Sequence, residues 1–150
     1  MKKKILFIIT LIMVITLTGC GKKTALTKEE FNEKLINEGF VITEITKEIN
    51  DSNIVYAAAV SSNDYQFEYH IYKNSDACKR SFNGNKKAFK SGKTKNNKEK
   101  IVSGENYDKY SITSSDEYKS ITRVDNTFVY ASLNVENKDS FNKALKALGY

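Results

Sequence analysis

Proline and tryptophan are missing from this 150-residue sequence, which holds one histidine, two cysteines and seven glycines. So little glycine and no proline exclude a collagen-like repeat and a flexible low-complexity chain. Two cysteines are too few for a disulfide scaffold. The lone histidine, His70, supplies neither a metal site, which wants three or four clustered ligands, nor a recognisable hydrolytic triad. The phosphate-cradling GxGxxG and GxxxxGK[ST] patterns are absent, as are the HExxH of zinc proteases and the GxSxG of serine hydrolases. No heptad run points to a coiled coil, and only one stretch is continuously apolar, which excludes a polytopic membrane protein. What is present is 40% hydrophobic and 11% aromatic residues, too much apolar side chain for intrinsic disorder, in a length that suits one domain. Basic residues outnumber acidic ones, 24 to 18.

The N-terminus carries the strongest signal. Lys2, Lys3 and Lys4 precede Ile5 to Leu17, a run of 13 residues interrupted only by Thr10 and Thr16. A spanning helix needs about 20 apolar residues, so this run suits the core of a signal peptide, with the lysines held on the cytoplasmic side. Leu17-Thr18-Gly19-Cys20 then places an aliphatic residue and two small residues before a cysteine. These four positions resemble the lipobox of bacterial lipoproteins. The resemblance implies a signal peptide over residues 1–19, cleavage between Gly19 and Cys20, and a diacylglyceryl group, commonly with palmitate chains, on the Cys20 thiol. Two acyl chains hold a protein durably on a bilayer where one does not. The expected location is therefore the extracytoplasmic face of the cell membrane, with residues 20–26 as a lipidated tether and residues 27–150 as a single domain. The lipid bilayer is the first expected partner. Lys, Asn and Ile together supply 51 residues, the bias of an AT-rich genome. Beyond the lipobox the chain broadly resembles small uncharacterised lipoproteins of low-GC bacteria, which implies no particular activity.

Cys78 is left as the one free thiol. Lys79 and Arg80 beside it would favour the thiolate, but no histidine or acid stands in pattern with it, and a small buried thiol is expected.

Hydrophobic periodicity gives the element order α-βββ-α-ββββ-α, an α+β domain whose antiparallel sheet has about six to seven strands packed with two to three helices. Thr27 and Glu30 form a capping-box pattern ahead of Phe31 and Leu35, and Gly39 stops that helix. Strands are expected over 40–48, 54–60, 65–72, 100–103, 107–113, 117–124 and 127–135, with helices over about 75–90 and 138–148. Asp125-Asn126 suits a tight hairpin. One sheet face is expected to be covered and the other solvated. Thr27–Phe40 and Asn137–Tyr150 align without gaps, sharing Phe31/Phe141, Leu35/Leu145 and Gly39/Gly149. The echo fits a duplicated α-β unit or two amphipathic helices built from the same few residues.

Chemistry is harder to locate. His70 shares a strand face with Gln66, Glu68 and Tyr72, where a polar residue on the exposed side of the sheet is expected. Asp64, Glu68 and Asp116 are scattered acids whose spacing gives a glycosidase pair no support. Between Lys79 and Lys100 the charge is lopsided: Lys79, Arg80, Lys86, Lys87, Lys90, Lys93, Lys95, Lys98 and Lys100 stand against Glu99 alone. Phe82 and Phe89 interleave, a composition that suits nucleic acid inside a cell. On an extracytoplasmic protein no nucleic acid is expected. The stretch then fits lipid headgroups, an anionic envelope polymer or an acidic surface protein, or is simply a solvated helix and loop. Eight tyrosines fall in expected strands, as β-propensity places them. The function expected is a non-catalytic binding or interaction module on a membrane-anchored lipoprotein, with no catalytic residue, no metal and no cofactor. The alternatives are a cell-envelope enzyme, such as a carboxylate-dependent hydrolase, or a small ligand-capturing lipoprotein.

Overall fold

The computed structural model describes residues 21–150; the signal peptide expected over 1–19 and the lipobox cysteine Cys20 lie outside the described residues. Helix α1 (Lys28–Asn37) opens on the expected capping box, in which Glu30 N donates to Thr27 Oγ1 at 3.2 Å and Thr27 N donates to Glu30 Oε2 at 2.9 Å. Strands β1 (Val41–Glu44), β2 (Ile54–Ser61) and β3 (Gln66–Tyr72) follow as a meander, then helix α2 (Ser75–Ser91). A second meander, β4 (Lys98–Ser103), β5 (Tyr107–Thr113), β6 (Glu117–Val124) and β7 (Thr127–Asn134), leads into helix α3 (Lys138–Leu148). The two meanders join edge to edge through β3 and β7, giving one antiparallel sheet in the order β1-β2-β3-β7-β6-β5-β4. The Asp125-Asn126 hairpin forms as expected, with Asp125 at φ 49°.

The strand expected over 40–48 ends early. Beyond Glu44 the chain winds into a 3-10 turn, Thr46–Glu48. Thr46 Oγ1 accepts from Ala57 N at 2.9 Å, so a side chain takes the ladder partner that a longer β1 would have used. β4, in contrast, starts two residues sooner than expected, because Lys98 already pairs with Thr113.

Both faces of the sheet are covered, which corrects the expectation of one solvated face. Helices α1 and α3 bury Phe31, Leu35, Phe141 and Leu145 against Tyr56, Phe67, Tyr69, Val129 and Leu133. Helix α2 buries Cys78, Phe82 and Phe89 against Tyr72, Tyr110, Ile121 and Phe128 on the opposite face. The reason lies in the central strands, where the neighbours Phe128 and Val129 point to opposite sides and each needs a cover.

The helix echo has a local cause. Gly39 and Gly149 take φ of 85° and 87°, and behind each the next residue returns a hydrogen bond, Phe40 N to Leu35 O at 3.0 Å and Tyr150 N to Leu145 O at 2.9 Å. These are two copies of one left-handed C-terminal cap. The helix that precedes the second meander is α2, while α1 and α3 share a single sheet face.

The segment expected as a lipidated tether is docked from Lys23 onward. Lys23 N donates to Asn106 Oδ1 at 2.9 Å, and Asn106 Nδ2 returns a bond to Lys23 O at 2.7 Å. Leu26 is buried in the core, its N–H donating to Tyr150 Oη at 3.2 Å and its carbonyl accepting from Tyr69 Oη at 2.7 Å. Leu26 explains the docking: it is the apolar residue of GKKTAL with a pocket to fill, and its backbone bonds are then satisfied by two tyrosines.

Candidate anion-binding site

The alternation of β4 and β5 sorts their side chains between two environments. On the α2 side stand Glu99, Tyr110 and Ile112; on the α3 side stand Lys98, Lys100, Lys109, Ser111 and Thr113. Helix α3 covers the middle of its sheet face and stops short of the β4 edge. A cleft of about 320 Å³ opens there, walled by Lys138 and Asn142 of α3 and by Tyr118 of β6. That volume is at the lower end of the range for small-ligand sites.

The side chains inside are positioned by one another. Asn142 Nδ2 donates to Lys138 O at 2.8 Å, which fixes the amide and leaves its Oδ1 to accept from Lys109 Nζ at 2.9 Å. Tyr118 Oη donates to the same oxygen at 3.4 Å, and Lys138 Nζ lies 5.5 Å from the centre of the Tyr118 ring. Four lysines thus converge: Lys98, Lys100, Lys109 and Lys138. None of them is in a salt bridge among the described residues. The acid on the cleft's edge, Glu99, bonds Lys93 at 2.6 Å and stands 3.6 Å from Lys90. Its carboxyl is held down at about 2, first by the Lys93 hydrogen bond. The Lys109 ammonium is pulled down to about 8, first by burial and then by the charges of Lys100 and Lys23.

The floor continues as a polar seam. Ser111 pairs with Ser120 and Lys109 with Thr122 across β5 and β6. Ser120 and Thr122 are almost wholly buried, and neither hydroxyl has a hydrogen-bond partner among the described residues. Each such orphan costs about 1–3 kcal/mol, so a core built for stability alone would carry alanine or valine here.

The basic stretch read from sequence is dispersed by the fold. Lys98, with Lys100, enters the cleft. Lys86 and Lys90 lie over the Tyr110 ring on the other side of the sheet, at 5.5 and 5.9 Å from its centre, with Lys93 nearby on Glu99. Lys79, Arg80 and Lys87 are exposed on α2, and Lys95 is exposed in the following loop. Sequence reasoning missed Lys109, Lys138, Tyr118 and Asn142. The available signal was the polar parity of Lys109, Ser111 and Thr113 in β5, which reads as an ordinary solvent face until α3 is placed beside it.

His70 is buried at 8% exposure, which corrects the expected exposed position. Helix α2 lies over β3, and the rings of Tyr72 and Phe128 flank the imidazole at 6.3 and 6.1 Å. Its Nε2 meets Glu68 Oε2 at 2.9 Å, which lowers the Glu68 carboxyl, while Nδ1 has no partner among the described residues. The nearby Tyr72 hydroxyl is committed to Ser81 Oγ at 2.7 Å. Asp64 and Asp116 sit in the β2–β3 and β5–β6 turns, Asp116 bonded by Ser114 and Ser115. Cys78 is fully buried, its thiol donating to Thr127 O at 3.3 Å and pushed up to about 12 by burial. No group of three or more potential metal ligands occurs among the described residues. No family model, curated protein or solved structure matches the chain.

Proposed function

We propose that the protein is a lipid-anchored lipoprotein on the extracytoplasmic face of the membrane, and that its domain is a non-catalytic module binding an anion of the phosphate or carboxylate class in the lysine cleft. The lipobox-like Leu17-Thr18-Gly19-Cys20 supports the anchor. The observation that carries the binding reading is Lys109: a half-buried ammonium with three further lysines around it and no salt bridge among the described residues. Such a group is costly to keep, and an oxyanion entering the cleft would remove the cost by accepting hydrogen bonds from Lys109 and Lys138, with the Ser111 hydroxyl at the floor. The Glu68–His70 pair would be the centre of a hydrolase reading. Its carboxylate is tied to His70, and no second carboxylate bonds to the pair among the described residues, so the lysine cleft is favoured.

Two measurements test the halves separately. The mass of the N-terminal peptide from membrane-extracted protein should carry the diacylglyceryl increment on Cys20, and Cys20→Ser should release the protein from the membrane fraction. Calorimetric titration with inorganic phosphate and with a short polyphosphate should give saturable binding that Lys109→Met weakens about tenfold or more. Unchanged affinity in that variant would remove the cleft from consideration.

A further inference from the structure

The N-terminal strap docks at one end of the sheet, and the cleft runs from Lys109, two residues past the strap's contact Tyr107, to a rim at the other end. Lys23 is bonded to Asn106 in the β4–β5 turn, Lys22 pairs with Glu105 at 3.4 Å, and Lys23 Nζ lies 5.0 Å from the centre of the Tyr107 ring. Asn106 also donates to Asp125 of the β6–β7 turn at 2.8 Å, so both turns belong to this near end. From Tyr107, β5 runs seven residues to Thr113, which faces Lys98 at the cleft's far rim. At about 3.3 Å per residue the two ends are about 20 Å apart. Cys20 precedes the docked Lys23 by three residues, a leash of about 10 Å at full stretch.

We propose, on the reading that Cys20 carries the lipid, that the strap orients the domain: the β4–β5 and β6–β7 turns stand on the bilayer, and the cleft's far rim faces outward. The partner is then an anionic polymer of the envelope and not the headgroups of the protein's own membrane. At physiological salt a surface potential decays over about 8 Å, so the far-rim lysines such as Lys98, some 20 Å from the anchored end, lie beyond its pull, whereas Lys109 stands only two residues from Tyr107. A polymer reaching in from outside meets the far-rim lysines first.

Full-length lipidated protein in vesicles containing phosphatidylglycerol and a headgroup quencher provides the test. Glu105→Cys and Lys95→Cys each give one labelling site, because Cys78 is fully buried and Cys20 would be capped by its lipid. The dye at 105 should be quenched several-fold more than the dye at 95, and ten Gly/Ser residues inserted between Gly21 and Lys22 should erase most of the difference. A soluble polyphosphate should bind the vesicle-held protein as tightly as the detergent-solubilised protein. Equal or inverted quenching, a difference that survives the insertion, or polyphosphate binding lost on the vesicle would each overturn the orientation. Flotation of the vesicles separates the two failures: protein that does not float refutes the anchor and the orientation with it, whereas protein that floats with equal quenching refutes the orientation alone.

Discussion

Lys109 and Cys78 are both drawn away from their ordinary titration by burial, with opposite consequences for reactivity. The folded Lys109 gives up its proton near pH 8, while in the unfolded chain it would hold it to the ordinary lysine value of about 10.5. Between those values the folded state binds fewer protons, so this residue's contribution makes the protein more stable as pH rises through that window. Anion binding should move the other way, weakening as pH climbs through about 8, and phosphate titrations at pH 7 and pH 9 would register it. Lys109→Met should raise stability by about 1 kcal/mol in a denaturant melt while it weakens binding, the trade expected when a costly group is kept for a ligand. A Lys109→Met variant less stable than the parent would mean that the Asn142 hydrogen bond outweighs the burial cost. Cys78, held as a thiol near pH 12, should resist maleimide in the folded protein and react at once in denaturant.

Among the elements, caps and turns were legible from sequence because their causes are local. The Thr27–Glu30 box, the Gly39 stop and the Asp125-Asn126 turn each depend on residues within a few positions, and each stands where the sequence places it. Gly84 sits exposed inside α2 with nothing within 4 Å of an added Cβ. Gly84→Ala should therefore stabilise the protein by about 1 kcal/mol, while Gly149→Ala at φ 87° should cost about 1 kcal/mol; paired thermal melts would show the opposite signs. Less legible were features made by distant partners. The early end of β1 is set by Thr46 reaching Ala57, His70 is buried because α2 crosses β3, and the cleft exists because α3 ends its cover at β6. None of these contacts follows from the hydrophobic pattern of the segment that makes it. The Lys79–Lys100 stretch shows the converse: contiguous charge in the chain becomes three separate neighbourhoods once β4 alternates and α2 turns.

Taken whole, the molecule is a three-layer sandwich in which the N-terminal strap meets the C-terminal residue Tyr150. Tyr150 Oη takes the Leu26 N–H at 3.2 Å and lies 2.6 Å from Thr127 Oγ1, so the strap, the end of α3 and β7 share one hydroxyl. Tyr150→Phe should cost about 1–2 kcal/mol and increase amide exchange at Leu26 before it does so in β3 or β6. Exchange rates at Leu26 that match the parent's would show that the apolar pocket alone holds the strap.

The strap has a mechanical consequence. A pull applied to a polymer in the cleft and resisted at Lys23 would travel along β5, nearly parallel to the strands. The ladder bonds of β4, β5 and β6 cross that line at right angles. Force in that direction shears many hydrogen bonds together and cannot open them one at a time, as peeling from an edge would. An anchor and a load at opposite ends of an antiparallel sheet would make the domain resist tension well beyond what its equilibrium stability implies.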